Sequence, residues 1–161
     1  MSMILTACFS ATGNTLKVAE EIRSLLSAAF FQIKPVQPYT AEDLNWNNPK
    51  SRSSVEMKDP ACRPAIADRA PDMEQYKTVF IGFPIWWYEA PRIIHTFLDS
   101  YDFSGKTCIP FATSGGSGMG KTVDILERAC PTAHWLPGKR FPEHPAPDSI
   151  AEWIKAEHSW K

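Results

Sequence analysis

The sequence lacks features that mark several large classes of protein. Its formal net charge is only −1, so it has no excess of basic residues that would favour nucleic acid or an anionic membrane. No apolar run approaches the length of a membrane-spanning helix, and no signal peptide precedes the first apolar segment. We therefore expect a cytoplasmic protein that has no membrane span and no nucleic-acid partner.

Patterns typical of metal, thiol-redox and hydrolase sites are also missing. The four cysteines form no CxxC pair, and Cys8 and Cys108 lie inside apolar runs that predict small core residues. The four histidines show no metal-ligand spacing, and no GxSxG motif is present. We therefore predict no metal site and assign no catalytic residue. His95 and Asp99, four residues apart on a predicted helix, would pair along one face.

The most informative segment is a polar loop between a predicted strand over 3–9 and a predicted helix over 13–29. A helix start offers unpaired N–H groups and the positive end of a dipole, which together bind phosphate. The loop contains no Lys or Arg, so it would hold a phosphate through neutral hydrogen bonds. This suits a bound cofactor better than a phosphate being transferred. The predicted phosphate-binding residues are Ser10, Ala11, Thr12, Gly13, Asn14 and Thr15.

Two further loops follow predicted strands over 77–83 and 107–112. The first carries large aromatic side chains, whose faces can stack on a flat ligand. The second is rich in glycine, which lets the backbone come close to a ligand and aim N–H groups at it. Beyond the carboxyl ends of parallel strands these loops would meet the polar loop. The predicted residues are Pro84, Ile85, Trp86, Trp87 and Tyr88 in the first loop, and Thr113, Ser114, Gly115, Gly116, Ser117 and Gly118 in the second.

These loops resemble, in the same order, the phosphate loop and the two flavin loops of the flavodoxins, which hold flavin mononucleotide (FMN). The resemblance covers the chain from Met3 to about Ala129. It implies a phosphate on residues 10–15, a flavin ring stacked on Trp86, Trp87 or Tyr88, and a ring edge bound by the backbone of 113–118. Since the first loop lacks the GxGxxG turn that accommodates a dinucleotide pyrophosphate, we predict FMN rather than FAD.

The predicted fold is α/β. Alternating strands and helices indicate a parallel sheet, and the resemblance implies a doubly wound, five-stranded flavodoxin-like sheet of order 2-1-3-4-5 with helices on both faces. Pro35 agrees with this order, because a proline in the predicted strand 31–36 places that strand at an edge. The remaining predictions are a helix from about Pro91, a helix over 121–129, a short strand over 134–136 and a final helix after Asp148.

The length predicts a single domain over residues 1–161, with an irregular insertion at about 39–75. So long an irregular link is usually functional or disordered. It replaces the expected second crossover helix or contains a short version of it. Some flavodoxin-like proteins carry a comparable stretch near the cofactor. If part of it is helical, Arg52 and Glu56 would pair at i, i+4.

These features predict a redox protein that transfers electrons through bound FMN, with a redox partner protein or small molecules such as NAD(P)H or quinones as partners. The net charge of −1 differs from the strongly acidic surface typical of dedicated flavodoxin carriers, which weakens the case for electrostatic docking. One alternative is an NAD(P)H-dependent FMN quinone or flavin reductase. Another, from a different class, is a module that has lost the cofactor and only binds a partner.

A third alternative is a nucleotide-binding P-loop, because residues 115–122 match GxxxxGK[ST]. Only about forty residues follow that segment, and no apolar strand ending in Asp is available to hold magnesium. The P-loop interpretation also leaves the loop at 10–15 and the tryptophans unexplained. We therefore expect Lys121 to face solvent.

The stretch 85–90 contains no glycine. Bulky residues are strained at positive φ, so we expect this backbone to avoid the left-handed region. In many flavodoxins a glycine next to the ring permits a peptide flip that supports one-electron reduction. Its absence here predicts mainly two-electron behaviour, which favours hydride chemistry.

Overall fold

A computed structural model of the chain describes residues 3–70 and 72–156, so the single domain predicted over 1–161 extends outside these ranges. No helix within them is long and apolar enough to cross a membrane. The helices and strands are β1 (Ile4–Cys8), α1 (Asn14–Leu26), β2 (Ala29–Gln32), α2 (Arg52–Lys58), a 3-10 turn (Met73–Gln75), β3 (Thr78–Pro84), α3 (Arg92–Ser100), β4 (Thr107–Ser114), α4 (Thr122–Ala129), β5 (His134–Trp135), β6 (Lys139–Pro142) and α5 (Ser149–Ala156).

The sheet is parallel and has the predicted order β2-β1-β3-β4-β5. The central strand β3 includes Val79, Phe80 and Ile81, which are all fully buried, as expected for a parallel strand covered on both faces. Phe80 packs with residues of α1 and α5, whereas Val79 and Ile81 pack with residues of α3 and α4. Helices therefore cover both faces, which confirms the predicted fold class.

A sixth strand was not predicted, and Pro110 explains it. The amides of His134 in β5 and of Leu136 just after it donate to the carbonyls of Lys106 and Cys108, so the even-numbered residues in and just before β4 face this edge. The next residue of β4 that faces this edge is Pro110, and proline has no N–H to donate to a neighbouring strand. Gly138 lies opposite at φ 71°, where an added Cβ would lie 2.0 Å from the Pro110 carbonyl oxygen. The ladder therefore breaks there, and β6 pairs farther along β4, with residues 111–114.

Other boundaries differ by a few residues. Helix α1 ends at Leu26 because Ser27 adopts a left-handed conformation at φ 51°. Strand β2 is at the edge, as predicted, but it ends before Pro35, which instead forms an isolated antiparallel bridge with Ile66 in the insertion. Pro35 therefore lies three residues beyond the end of this edge strand and not within it.

The insertion contains a short version of the crossover helix, α2. The predicted pair between Arg52 and Glu56 is confirmed, with Nε and Oε2 2.9 Å apart. The predicted pair on α3 is wrong, because Asp99 instead accepts a 2.7 Å hydrogen bond from Arg63 of the insertion. Within the described part of the chain, the buried Nε2 of His95 has no partner.

Cys8 and Cys108 are fully buried, as predicted. Burial raises the pKa of both thiols, which keeps them protonated core residues.

Candidate functional site

The carboxyl ends of β1, β3 and β4 open at one edge of the sheet, and two adjoining cavities lie there. We call them the polar chamber, of about 300 Å³, and the aromatic chamber, of about 440 Å³. Ligands in open α/β sheets bind at this edge, and cavities of this size are typical of small-molecule sites. The two chambers share the lining residues Leu44, Trp46, Ile85, Trp86 and Ser117.

Most of the predicted site residues line one chamber or both. The polar chamber is lined by Ala11, Thr12, Asn14, Pro84, Ile85, Trp86, Thr113, Ser114, Gly115 and Ser117. The aromatic chamber is lined by Ile85, Trp86, Trp87, Tyr88 and Ser117. The other predicted residues lie in the same loops but line neither chamber; they are Ser10, Gly13, Thr15, Gly116 and Gly118.

The first loop presents unpaired donors to the polar chamber. The Ser10 hydroxyl oxygen accepts hydrogen bonds from the amides of Gly13 (3.0 Å) and Leu16 (3.2 Å), which closes the loop onto itself. Gly13 precedes the helix at φ 97°, a conformation that favours glycine, and as the N-cap residue it has no side chain that could accept from the first turn of α1. Within the described ranges, no acceptor contacts the amides of Ala11, Thr12, Asn14 and Thr15. These four N–H groups form a cradle of the kind that binds anions.

Two of the threonines predicted to contact a ligand also contact each other. The hydroxyls of Thr15 and Thr113 lie 2.7 Å apart, and both residues are buried. This bond ties the end of β4 to the start of α1. Their side chains therefore fix the distance between the two loops.

The glycine-rich loop is fixed by a residue from β6. Arg140 donates to the hydroxyl and the carbonyl oxygens of Ser114, both at 2.8 Å. The Ser114 hydroxyl in turn donates to the carbonyl of Ser117. The unpredicted strand β6 thus stiffens a wall of the polar chamber.

Glu143, directly after β6, reaches into the polar chamber. The Asn14 side-chain amide donates to Glu143 Oε2 at 3.0 Å and to the Thr12 hydroxyl at 3.3 Å. A carboxylate thus lies within hydrogen-bond distance of the loop that carries the unpaired amides.

In the aromatic chamber, Trp86 is held edge-on against two other rings. Its ring centroid lies 5.7 Å from that of Phe9 and 5.3 Å from that of Tyr39, both in T-shaped geometry. Trp87 and Tyr88 are more open, with 42% and 70% of their surfaces exposed. The three neighbouring aromatics thus have different roles: Trp86 is packed, and the other two face outward.

The backbone of this aromatic turn adopts positive φ at two bulky residues, whereas we expected it to avoid this strained region. Trp86 and Glu89 exchange two backbone hydrogen bonds, of 2.9 and 3.1 Å. Between them Trp87 has φ 49° and Tyr88 φ 66°, the geometry of a type I′ turn that normally favours Asn or Gly. The left-handed conformation costs about 1–2 kcal/mol per residue. Absence of glycine therefore does not keep this loop from positive φ, and it gives no support for two-electron behaviour.

Polar groups of the insertion hold Tyr39, which contacts Trp86. The Tyr39 hydroxyl donates to Glu56 Oε1 at 2.5 Å, and the Arg52 guanidinium lies 3.8 Å from the centre of the Tyr39 ring. Burial and the bond to the Glu56 carboxylate raise the pKa of Tyr39. Tyr39 therefore stays protonated and fixed against Trp86.

Arg92, the first residue of α3, connects the turn to the insertion. It is 4% exposed, and its guanidinium donates to the carbonyls of Glu56 (3.3 Å), Met57 (2.7 Å) and Asp59 (3.0 Å). It also forms a 2.6 Å ion pair with Glu89, the last residue of the strained turn. The Arg92 side chain thus satisfies the free carbonyls at the end of α2 and also anchors the aromatic turn through Glu89.

Four lining residues were not predicted: Leu44, Trp46 and Ser53 from the insertion, and Glu143. One of these could have been found in the sequence, because a single tryptophan stands among asparagines in the stretch 45–48. The structure shows that this residue, Trp46, is 70% exposed. Ser53 is 2% exposed, and its hydroxyl has no hydrogen-bond partner within the described ranges. Such an orphaned group calls for an explanation, and a ligand in the aromatic chamber would supply one.

A larger cavity, of about 770 Å³, lies at the opposite end of the sheet. Its lining includes Met73 and Tyr101, which precede β3 and β4 and so lie at the amino ends of these strands. Because ligands in this type of sheet bind beyond the carboxyl ends, we do not assign the functional site to this cavity.

The chain is similar over nearly its whole length to known structures. A candidate flavoprotein from Bacteroides eggerthii DSM 20697 is 45% identical, with a TM-score of 0.90 over 97% of this chain and 98% of that one. A flavoprotein from Lactobacillus acidophilus NCFM, solved in complex with FMN, is 20% identical, with a TM-score of 0.73 over 96% and 99%. An NADH:FMN oxidoreductase in its apo form is 17% identical, with a TM-score of 0.56 over 95% and 84%. No curated protein matches the chain. The flavodoxin family model matches residues 3–157, and the chain belongs to the flavodoxin family.

Proposed function

We propose that this protein binds FMN in the joined chambers and transfers electrons through the bound flavin. Residues 1–161 act as a single domain, and the insertion at 39–75 forms part of the flavin site. The observation that carries the proposal is the cradle of unpaired amides within one cleft that also presents an aromatic wall. The similar protein from Lactobacillus acidophilus, solved with FMN, supports it.

The polar chamber fits the terminal phosphate of FMN. The unpaired amides of Ala11, Thr12, Asn14 and Thr15 lie at the start of α1, where a negative charge is favoured. The exposed Thr12 hydroxyl adds a further donor. A single phosphate suits the short loop better than the pyrophosphate of FAD.

The aromatic chamber fits the flavin ring, which has apolar faces and a polar edge. Trp86, Trp87 and Tyr88 offer the faces, and the orphaned Ser53 hydroxyl offers a partner for the polar edge. We propose the backbone of residues 113–118 as a second partner for the polar edge of the ring. Bound flavin supplies the redox chemistry, while the protein orients the ring and shields it from water.

Titration of flavin-free protein with FMN, FAD and riboflavin tests the proposal. We expect a 1:1 complex with FMN whose visible absorbance stays with the protein after free flavin is removed by gel filtration, and weaker binding of riboflavin because it lacks the phosphate. Exclusive binding of FAD, or no binding of any flavin, would show that the proposal is wrong. No binding would leave the partner-binding module as the better explanation.

A second candidate function is reduction of quinone-type acceptors, and the lining of the aromatic chamber favours it. All eight lining residues are uncharged. With the flavin ring in the chamber, the exposed parts of Trp87 and Tyr88 would offer an uncharged aromatic surface to a neutral planar acceptor, whereas docking of an NAD(P)H phosphate usually uses Arg or Lys. Anaerobic FMN-loaded protein, reduced with dithionite and mixed with a quinone, should be reoxidised rapidly; rapid reduction by NADH or NADPH without a partner protein would identify a complete reductase.

The geometry opposes the P-loop alternative. Thr122, which would have to reach magnesium, is fully buried and donates its hydroxyl to the backbone carbonyl of Tyr88 at 3.1 Å. Lys121 is exposed, as expected. The segment 115–122 thus leads from β4 to α4 and contacts the aromatic turn through Thr122, and nucleotide hydrolysis is not part of the proposed function.

A further inference from the structure

The polar chamber combines two features that oppose each other. Its cradle of unpaired amides favours an anion, and among residues 3–70 and 72–156 no Lys or Arg lines it. Its charged lining residue is Glu143, whose carboxylate accepts from the Asn14 side chain at 3.0 Å. An anion that enters this chamber therefore meets a negative charge close to its binding groups.

The position of Glu143 is built into the fold. Strand β6 ends at Pro142, and Arg140 of the same strand fixes the chamber wall through Ser114. A Cβ on Gly115 would lie 3.3 Å from Glu143 Oε1, a tighter approach than most side chains tolerate. The absence of a side chain at position 115 thus leaves room for the carboxylate between the two loops.

We propose that Glu143 is a specificity-determining residue that limits the affinity of this site for a phosphate-bearing ligand. Its carboxylate repels the phosphate and engages the Asn14 amide, which would otherwise donate to that phosphate. The residue thereby narrows the preference for FMN over riboflavin. This inference rests on the proposed function, since it takes the polar chamber as the phosphate site.

Glu143→Gln isolates the charge, because the glutamine carbonyl can still accept from Asn14. We expect FMN to bind about tenfold more tightly to this variant than to the wild type, and riboflavin to bind equally to both. Repulsion between exposed charges is screened by salt, so the gain for FMN should shrink between low salt and 1 M NaCl. Glu74→Gln, an exposed glutamate at the amino end of β3, is the matched control and should change neither affinity.

The outcomes separate this inference from the proposed function. If wild type and variant bind FMN equally, or the variant binds it more weakly, the inference is wrong while the phosphate site stands. An equal gain for FMN and riboflavin would also overturn it, because the effect would not depend on the phosphate. If neither protein binds any flavin, the proposed function itself fails.

Discussion

The two chambers of the cleft are built in different ways. The polar chamber depends on a short local segment, residues 10–15, in which the amides of Ala11, Thr12, Asn14 and Thr15 are unpaired because a helix begins there. The aromatic chamber depends on a turn at residues 86–89 that is strained and is held by side chains from distant segments, notably Tyr39 and Arg92. A local motif thus makes one half of the site, and tertiary packing makes the other.

This difference predicts how each half responds to substitution. Changes in the polar chamber remove exposed donors, so they should alter ligand affinity and leave the free energy of unfolding nearly unchanged. Changes beneath the aromatic chamber remove buried partners, so they should alter stability first. Each variant should therefore be measured in two ways, by its free energy of unfolding and by its affinity for flavin.

The largest expected effect is at Arg92. Arg92→Met leaves three carbonyls and the Glu89 carboxylate without their buried partner, which should lower the free energy of unfolding by about 3–5 kcal/mol in urea denaturation. Arg63→Met is the matched control, because its pair with Asp99 is exposed and should contribute less than about 1 kcal/mol. Equal losses for the two variants would contradict the assigned anchoring role of Arg92.

The support beneath the aromatic turn should also respond to pH through His95. Burial, with the nearby charges of Arg63 and Arg92 opposed by Asp99, lowers the pKa of His95 to about 4. The folded state thus binds fewer protons than the unfolded state between about pH 4 and the ordinary histidine pKa of about 6.5. The free energy of unfolding should be highest above this window and fall by up to about 3 kcal/mol as the pH drops through it.

His95→Gln removes the titrating group and should flatten the dependence of stability on pH between 6.5 and 4. Urea denaturation at several pH values measures both proteins. If the variant loses as much stability as the wild type over this interval, another group causes the loss.

The contrast between the chambers also explains what could be predicted from the sequence. The order of the sheet follows from the resemblance to the flavodoxins, whereas the loop at 10–15 follows from local patterns, namely an apolar run, a polar loop and a helical period. Strand β6 and Glu143 could not be predicted, because they depend on how Pro110 interrupts a ladder formed by distant residues.

The aromatic turn shows a second limit of sequence reasoning. Local preference predicts that Trp87 and Tyr88 avoid positive φ, yet the ion pair and backbone bonds at Glu89 hold the turn in that conformation. Ser53 likewise gives no sequence signal, since an orphaned hydroxyl is visible only after packing is known. Strain and orphaned groups of this kind often occur at functional sites.

In the polar chamber, Thr12→Ala should weaken FMN binding ten- to a hundredfold. It removes a hydrogen bond to a charged phosphate, of roughly 1.5–3 kcal/mol, from an exposed side chain. Riboflavin affinity and the free energy of unfolding should not change. A parallel loss for FMN and riboflavin in fluorescence titrations would show that this loop does not hold the phosphate.

Ser53→Ala distinguishes a ligand-binding hydroxyl from a structural one. Because the hydroxyl is buried and unpaired, its removal should leave the flavin-free protein equally stable or more stable by up to about 1 kcal/mol. Riboflavin affinity should fall about fivefold, as expected for one neutral hydrogen bond. In the control Ser54→Ala, the hydroxyl lost is bonded to Ser51 and to the carbonyl of Asn48, so this variant should be less stable. Unchanged riboflavin affinity in Ser53→Ala would leave the orphaned hydroxyl without a role.

The smallest expected effect is the relief of strain at Tyr88. Asparagine tolerates the left-handed conformation better than tyrosine, so Tyr88→Asn should raise the free energy of unfolding by about 0.5–1 kcal/mol. Tyr88→Phe keeps both the strain and the ring, and should match the wild type in stability and in riboflavin affinity. If the exposed ring at this position contributes to the flavin site, the asparagine variant gains stability and loses riboflavin affinity together. A variant that gains stability without losing affinity would show that the strain at Tyr88 serves no flavin contact, and would leave Trp86 and Trp87 as the aromatic wall.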